Sequence, residues 1–316
     1  MAQNTFDVIA LGLTAVDVLM VRPTTIIPDA KQFVSDLIIQ GGAPTGSGAS
    51  GIAMLGYRAA VVARLGNNTL SDIAREQFRR YHVSLDLVVN DQDSRPAIAL
   101  VEIDPVTAAR TVFINLDNYG YVRPQDIPAT KIGAARVLWV DSYDLNATEA
   151  ALKAASSGCR RVLDFEGGDV DRLRELCALG TDLIFPRECA RRITDRDSPQ
   201  DLLRGLSRYS SGQSVITDGI HGSWALENGN IIHQPAFRVA AVDSTGCGDA
   251  FHTGYIVGSL ENWPLALRLE LGSWLASIVA TRVGGRTALP KRGEMSRHFR
   301  PDLSAELRLL VEKAGL

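Results

Sequence analysis

The run Val242-Asp243-Ser244-Thr245-Gly246-Cys247-Gly248-Asp249-Ala250-Phe251 carries the most chemistry in this chain. Glycines at 246 and 248 let the backbone turn tightly with no Cβ in the way. An apolar, strand-like segment, 237–242, precedes the run, and a helical pattern over 254–260 follows it. A tight turn into a helix start leaves several N–H groups unpaired and pointing one way. With the helix dipole they form an anion hole, here at Gly246, Cys247 and Gly248. Asp249 cannot itself hold an anion, because like charges repel. It can take the proton of a hydroxyl that attacks a bound phosphate. Phosphoryl transfer needs both parts, aimed dipoles on the charged oxygens and an oriented proton acceptor. An Asp at a helix start can also simply cap the helix. The flanking glycines weigh toward chemistry.

The elements around this run alternate. Apolar strand patterns at 8–11, 59–63, 136–140, 161–165, 182–185 and 214–217 are interleaved with helical ones at 73–81, 148–156, 170–179 and 199–209. That rhythm predicts βαβ crossovers and a mostly parallel sheet with helices on both faces. Asp17, just after the first strand, then stands at the carboxyl end where open α/β sheets bind ligands. Segments 31–40 and 98–115 break the rhythm with β-branched, extended patterns and no helix between, the second folding back on itself near Asp104-Pro105. They are expected to form a small β-sheet lid over about 20–40 and 95–118, projecting from one domain that spans 1–316; edge strands of the main sheet are the alternative. The amphipathic tail from 302 to 315 is expected to dock as a last helix.

The run from Asp243 to Phe251 resembles the D-T-T-G-A-G-D-x-F motif of the ribokinase-like (PfkB) sugar kinases, with Cys247 in place of the usual Ala. The resemblance covers nearly the whole chain. It implies a three-layer α/β fold with a β-lid, ATP and Mg2+ as cofactors, and Asp249 as the base. Gln40-Gly41-Gly42, followed by 48–57 and Leu65-Gly66-Asn67, resembles the stretch that lies against the sugar. The family's Asn is missing there, and Ser47 or Thr45 is nearest; Asn67 replaces an Asp. The resemblance implies sugar contacts from Asp17, Gly41, Gly42 and Ser47, with Asn115 reaching in from the lid. Thr217, Gly219 and Gly222 resemble the turn beneath the nucleotide, and Gly285 belongs to a late glycine-rich stretch by the adenine. Glu188 matches the last residue of an N-x-x-E motif that holds magnesium through water, although Phe185 stands at the Asn position. The resemblance also implies K+ activation through backbone groups near Asp243 and Thr245. The runs 233–239, Phe251-His252 and Gly284-Gly285-Arg286 look nearest the branch of sulfofructose kinase and ketohexokinase-like enzymes. The 139–146 loop lacks the Arg expected of a sulfonate binder.

Composition fits this picture. Of the 316 residues, 46% are hydrophobic and 22% charged, ordinary for a globular α/β protein. A net charge of −3 without a basic block argues against nucleic acid as a partner. The four scattered cysteines read as reduced cytoplasmic thiols rather than a zinc site. The short first apolar run reads as a strand rather than a signal peptide, and nothing is long enough to span a membrane. A dinucleotide oxidoreductase would need G-x-G-x-x-G after the first strand, where the chain has Gly12-Leu13-Thr14-Ala15-Val16-Asp17. The expected activity is ATP-dependent phosphorylation of a small sugar by a homodimer paired through its lids. A nucleoside kinase, a phosphofructokinase and a non-catalytic ligand sensor are the alternatives.

Overall fold

The computed structural model describes residues 5–316. In chain order its strands are β1 (Val8–Leu11), β2 (Ala15–Val21), β3 (Leu37–Gly42), β4 (Ala59–Leu65), β5 (Val88–Asn90), β6 (Ala97–Ile103), β7 (Arg110–Asn115), β8 (Val137–Asp141), β9 (Arg160–Asp164), β10 (Asp182–Pro186), β11 (Gln213–Thr217), β12 (Ser223–Glu227) and β13 (Asn230–Gln234). The helices are α1 (Pro44–Met54), α2 (Thr69–Arg80), α3 (Ala129–Gly133), α4 (Leu145–Ala154), α5 (Val170–Cys177), α6 (Arg187–Thr194), α7 (Pro199–Leu206), α8 (Cys247–Leu260), α9 (Leu265–Val279) and α10 (Ala305–Ala314).

The strands form two sheets. The larger runs β13-β12-β11-β10-β9-β8-β1-β4-β5, parallel from β11 to β5 and closed by an antiparallel hairpin edge. Its strands are apolar on both faces because helices cover both. Alternate residues divide between two cores. Val8, Ala10, Val61, Trp139 and Ile184 pack with α1, α8 and α9. Ile9, Leu11, Val62, Leu138 and Phe185 pack with α4 to α7. Each fully buried Val, Leu, Ile or Phe among them contributes about 1.5–3 kcal/mol, which holds the parallel strands in one direction between the two helical layers. The carboxyl ends of β1, β8, β9 and β10 therefore open on one side, toward the start of α8.

The second sheet, ordered β3-β2-β6-β7, is separate from the first, which decides against edge strands of the main sheet. It begins at Ala15, earlier than the sequence pattern indicates, and only 37–42 of its first segment is strand. The hairpin expected within 98–115 is β6–β7. Two expectations need correction. Asp17 follows β1, as read from the sequence, but lies within β2 of this small sheet, a strand the sequence pattern did not indicate. Residues 237–242 form no strand: they run largely exposed without pairing to the edge strand β13, and Val242 instead donates to the Ala280 carbonyl at 2.8 Å. The tail docks as α10, burying Leu307 and Val311.

Candidate active site

The glycine turn opens α8. Gly246 is its N-cap in the left-handed region, φ 75°, with no capping side chain. A Cβ there would come within 2.5 Å of Gly285 Cα, so the turn can approach the late glycine stretch only as glycine. Cys247 N–H makes a long 3.4 Å bond to Ser244 O. A Cβ on Gly248 would meet nothing within 4 Å, so this glycine faces open space rather than packing. Asp243, fully buried, accepts from Thr245 N–H at 2.7 Å and Gly284 N–H at 2.8 Å, fastening the turn to the late stretch. Thr245 Oγ1 is buried without a partner among the described residues.

Asp249 sits in the first turn of α8. Burial pushes its carboxyl up to about 7; the Glu166 carboxylate adds to the rise, Arg110 and Arg286 oppose it, and Asp17 adds a smaller rise. Asp17 is itself pushed up to about 6 by burial, against the pull of Arg286 and Arg110. The two carboxylates approach from different elements, β2 of the small sheet bringing Asp17 and the helix α8 bringing Asp249. Beneath them Asp164 at the end of β9 is held well above the carboxylate range by burial, then by Glu166 and Asp249. His252, one turn along α8, lies between Gly248 O at 3.0 Å and Ile184 O at 3.1 Å. Burial lowers it to about 4, so it is neutral at pH 7. The tip of the β6–β7 hairpin touches the glycine turn: Ser244 N–H donates to Ala108 O at 3.0 Å, and Arg110 Nη1 to Ser244 O at 3.2 Å.

The sugar-side glycines have an unexpected surrounding. A Cβ on Gly42 would collide with the Asp17 carboxylate, and one on Gly41 with the Arg286 guanidinium. Successive strand residues face opposite ways, so the pair is sandwiched between an acid and a base. Ser47, in α1, is buried and accepts from Arg286 Nε at 3.3 Å.

Other expected site residues lie apart from this group. Asn115 pairs with Ile98 across the small sheet, one residue out of phase with Asp17 and Ala99, so it projects from the opposite face. There it accepts from Arg95 at 2.8 Å and donates to Asp117 at 2.9 Å. Glu188, in the first turn of α6, is 73% exposed and accepts from Arg191 at 3.1 Å. Thr217 ends β11, and Gly219 and Gly222 shape the hairpin into β12. At Gly222 a Cβ would collide with Gln234 O, so that glycine has a structural reason of its own. A cavity of about 490 Å3 opens beside α9, lined by Val239, Ser277, Thr281, Thr287, Leu289 and His298 among others. It adjoins the stretch after Gly285, and neither Asp17 nor Asp249 lines it. Glu166 and Arg286 are the functional candidates that sequence reasoning did not assign. The D-x-E spacing after a strand, Asp164-Phe165-Glu166, was the available signal for the first.

Residues 39–292 match the model of the pfkB family carbohydrate kinase. The chain belongs to that family. It is a carbohydrate kinase, a phosphotransferase acting on a sugar hydroxyl. It is 25% identical over 299 residues to a fructokinase of Klebsiella pneumoniae, covering 86% of this chain and 95% of that protein. It is 22% identical over 314 residues to a 5-dehydro-2-deoxygluconokinase of Bacillus subtilis (strain 168), covering 93% and 95%. In fold the kinase is similar to a chain from E.coli provisionally assigned as ribokinase II and solved in complex with ATP and Mg2+, with TM-score 0.80, 14% identity, and coverage of 93% and 98%. The fold is thus ribokinase-like, a large mostly parallel sheet between helices with a smaller separate sheet.

Proposed function

We propose that the kinase transfers the γ-phosphoryl group of ATP to a hydroxyl of a small free sugar, a ketose or related polyol, with Asp249 as general base. The observation that carries this reading is the placement of a buried carboxylate, pushed up to about 7, one residue past a glycine turn whose open side faces no other group. A carboxyl in that range accepts a proton near neutral pH and returns it readily. Gly246, Cys247 and Gly248 offer N–H groups to the transferring phosphoryl. Asp17 accepts from neighbouring hydroxyls of the sugar. With Glu166 close to Asp249, the acceptor side is rich in carboxylates, which favours a neutral acceptor over one that already carries a phosphate.

The cavity beside α9 is the candidate adenine end of the nucleotide site, adjoining Gly285, with Thr217, Gly219 and Gly222 as the proposed floor. Among the described residues no three His, Cys, Asp or Glu side chains form a metal cage. That fits Mg2+ arriving with ATP and keeping several waters; bound there, it would neutralise developing phosphate charge. Glu188 could take part only through water, given its exposure. The unpartnered Thr245 Oγ1 beside Asp243 is the group that fits a K+ role. The small sheet acts as the lid: its hairpin already rests on Ser244, and closure would exclude water, a competing nucleophile. Its outer face exposes Leu37, Ile39, Leu100 and Phe113, and we take this face to pair with a second lid in a homodimer, where Asn115 also lies. The free cysteines fit a reducing cytoplasm.

ADP release from ATP should be measured against free ketoses, aldoses, sugar acids, nucleosides and sugar phosphates. Turnover highest on a free sugar supports the reading. Turnover on sugar phosphates alone would replace it with a phosphofructokinase, and none on any acceptor would favour a ligand sensor.

A further inference from the structure

Arg286 is among the largest side chains buried in this protein, 1% exposed. An arginine is rarely buried so fully without a carboxylate partner, yet no salt bridge to Arg286 is present among the described residues. Its guanidinium instead spends its donors on the junction of β3 and α1. Nη2 donates to Gly42 O at 3.0 Å and Nε to Ser47 Oγ at 3.3 Å, while Nη1 is buried with no partner among the described residues. The plane lies over Gly41, its Cζ 2.8 Å from where a Cβ would stand, and against Gly46, with Nη2 3.1 Å from that Cβ position. The rings of Phe78 and Tyr81 lie 5.6 and 5.9 Å from Cζ, so aromatic faces supply part of the stabilisation that a carboxylate would otherwise give.

The backbone that carries Arg286 is fixed from the phosphate side. Gly284 N–H is held by Asp243, and Gly285 packs on Gly246. Residues 284–286 therefore form a strap. One end is tied to the anion turn, and the other reaches the glycine pair and the start of α1. On the far face of that pair lies the Asp17 carboxylate.

We propose that Arg286 is a positioning residue for phosphoryl transfer: a buried strut that sets the Gly41–Gly42 pair and Ser47, and with them Asp17, in register with the anion turn. Its charge also acts through the side-chain-free glycine backbone. The groups around Asp249 are Asp17 from β2, Arg110 from β7, Asp164 and Glu166 from the end of β9, and Arg286; His252 on α8 is neutral. Three carboxylates surround the base, so each of the two cations matters to keeping it ionised. A lysine would keep the charge but not the planar fork that reaches Gly42 O and Ser47 Oγ together.

This inference rests on the function proposed above, and the test separates the two. Arg286→Lys and Arg286→Met are compared with wild type in the full chain, using the sugar that wild type turns over. In both variants the KM for sugar should rise roughly tenfold or more, because the acceptor side loses its register, while the KM for ATP stays within about threefold. The acid limb of kcat/KM should move upward by about 0.5–1 pH unit in the Met variant, since loss of a cation raises the base, and stay in place in the Lys variant. A purely structural arginine would lower thermal stability, leave the limb unmoved and spare the sugar KM of the folded fraction; that result overturns the proposal. Should the Met variant fail to fold, the Lys variant decides alone: an unchanged sugar KM refutes the strut. Wild type inactive on every sugar would overturn the function itself, whereas active wild type with unmoved variants overturns only the role of Arg286.

Discussion

Replacing Glu166 by Gln should shift the acid limb of the kcat/KM profile to lower pH. The base must be ionised to accept a proton, so activity rises with pH through its pKa, about 7 in the free enzyme. Burial is the largest cause of that value and Glu166 the second. Over the ~4–6 Å at which neighbouring charges shift a carboxyl, two like charges repel by roughly 3–4 kcal/mol at an effective dielectric constant of about 20. Glu166 reaches solvent at its residue surface although burial of its carboxyl raises it above the ordinary range; solvent screening reduces such a term to about 1 kcal/mol, or about 0.7 pH unit. The limb should therefore move from about 7 toward about 6 and no further, because burial remains. The sign is the discriminating part: removing an anion stabilises the ionised base, while removing Arg110 or Arg286 would do the reverse. The assay is initial-rate ADP formation from pH 5 to 9 at subsaturating sugar, with far-UV circular dichroism to confirm folding. A limb that stays at 7 or moves upward would refute the electrostatic account of Asp249.

Further outcomes follow from the same geometry. Asp17→Ala should reduce sugar-dependent turnover sharply with little change in ATP affinity, read by titrating sugar and ATP separately; intact sugar affinity would remove Asp17 from the acceptor side. Gly246→Ala should destabilise the fold by about 1–3 kcal/mol in chemical denaturation, since a side chain at φ 75° meets Gly285 at 2.5 Å. Unchanged stability would mean the turn can open. Leu100→Asp, on the outer face of the lid sheet, should convert a dimer to monomers by light scattering, and a wild-type monomer would refute the lid-to-lid pairing.

The sequence was legible where chemistry is local. Two glycines and an Asp within four residues specify a turn, a helix start and an acid together, and the proposed site is centred on them. The apolar runs matched their strands to within about two residues because strands buried on both faces carry no competing signal. What failed was long-range. The apolar character of 237–242 could not reveal that the segment runs along the surface and bonds to Ala280 at the end of α9 instead of pairing in a sheet. Alternation placed Asn115 in a strand but gave no sign that Asp17 lies in one, and their relative faces depend on register across β2, β6 and β7. Arg286 was visible only as part of a glycine-rich stretch, because its partner Gly42 is 244 residues away. The glycine pair reads from sequence as a flat surface for a sugar. In the fold the missing side chains are what admit Asp17 on one face and Arg286 on the other.

The central claim is that Asp249 takes the proton of the attacking sugar hydroxyl. The most direct measurement is single-turnover phosphorylation by Asp249→Asn, on the sugar that wild type turns over best, with ATP binding measured by calorimetry on the same preparation. The account predicts an intact fold, ATP affinity within a few-fold of wild type, and phosphorylation slowed by roughly 10²–10⁴-fold, the range for a lost general base. Phosphorylation near the wild-type rate by the folded, ATP-binding variant would contradict it.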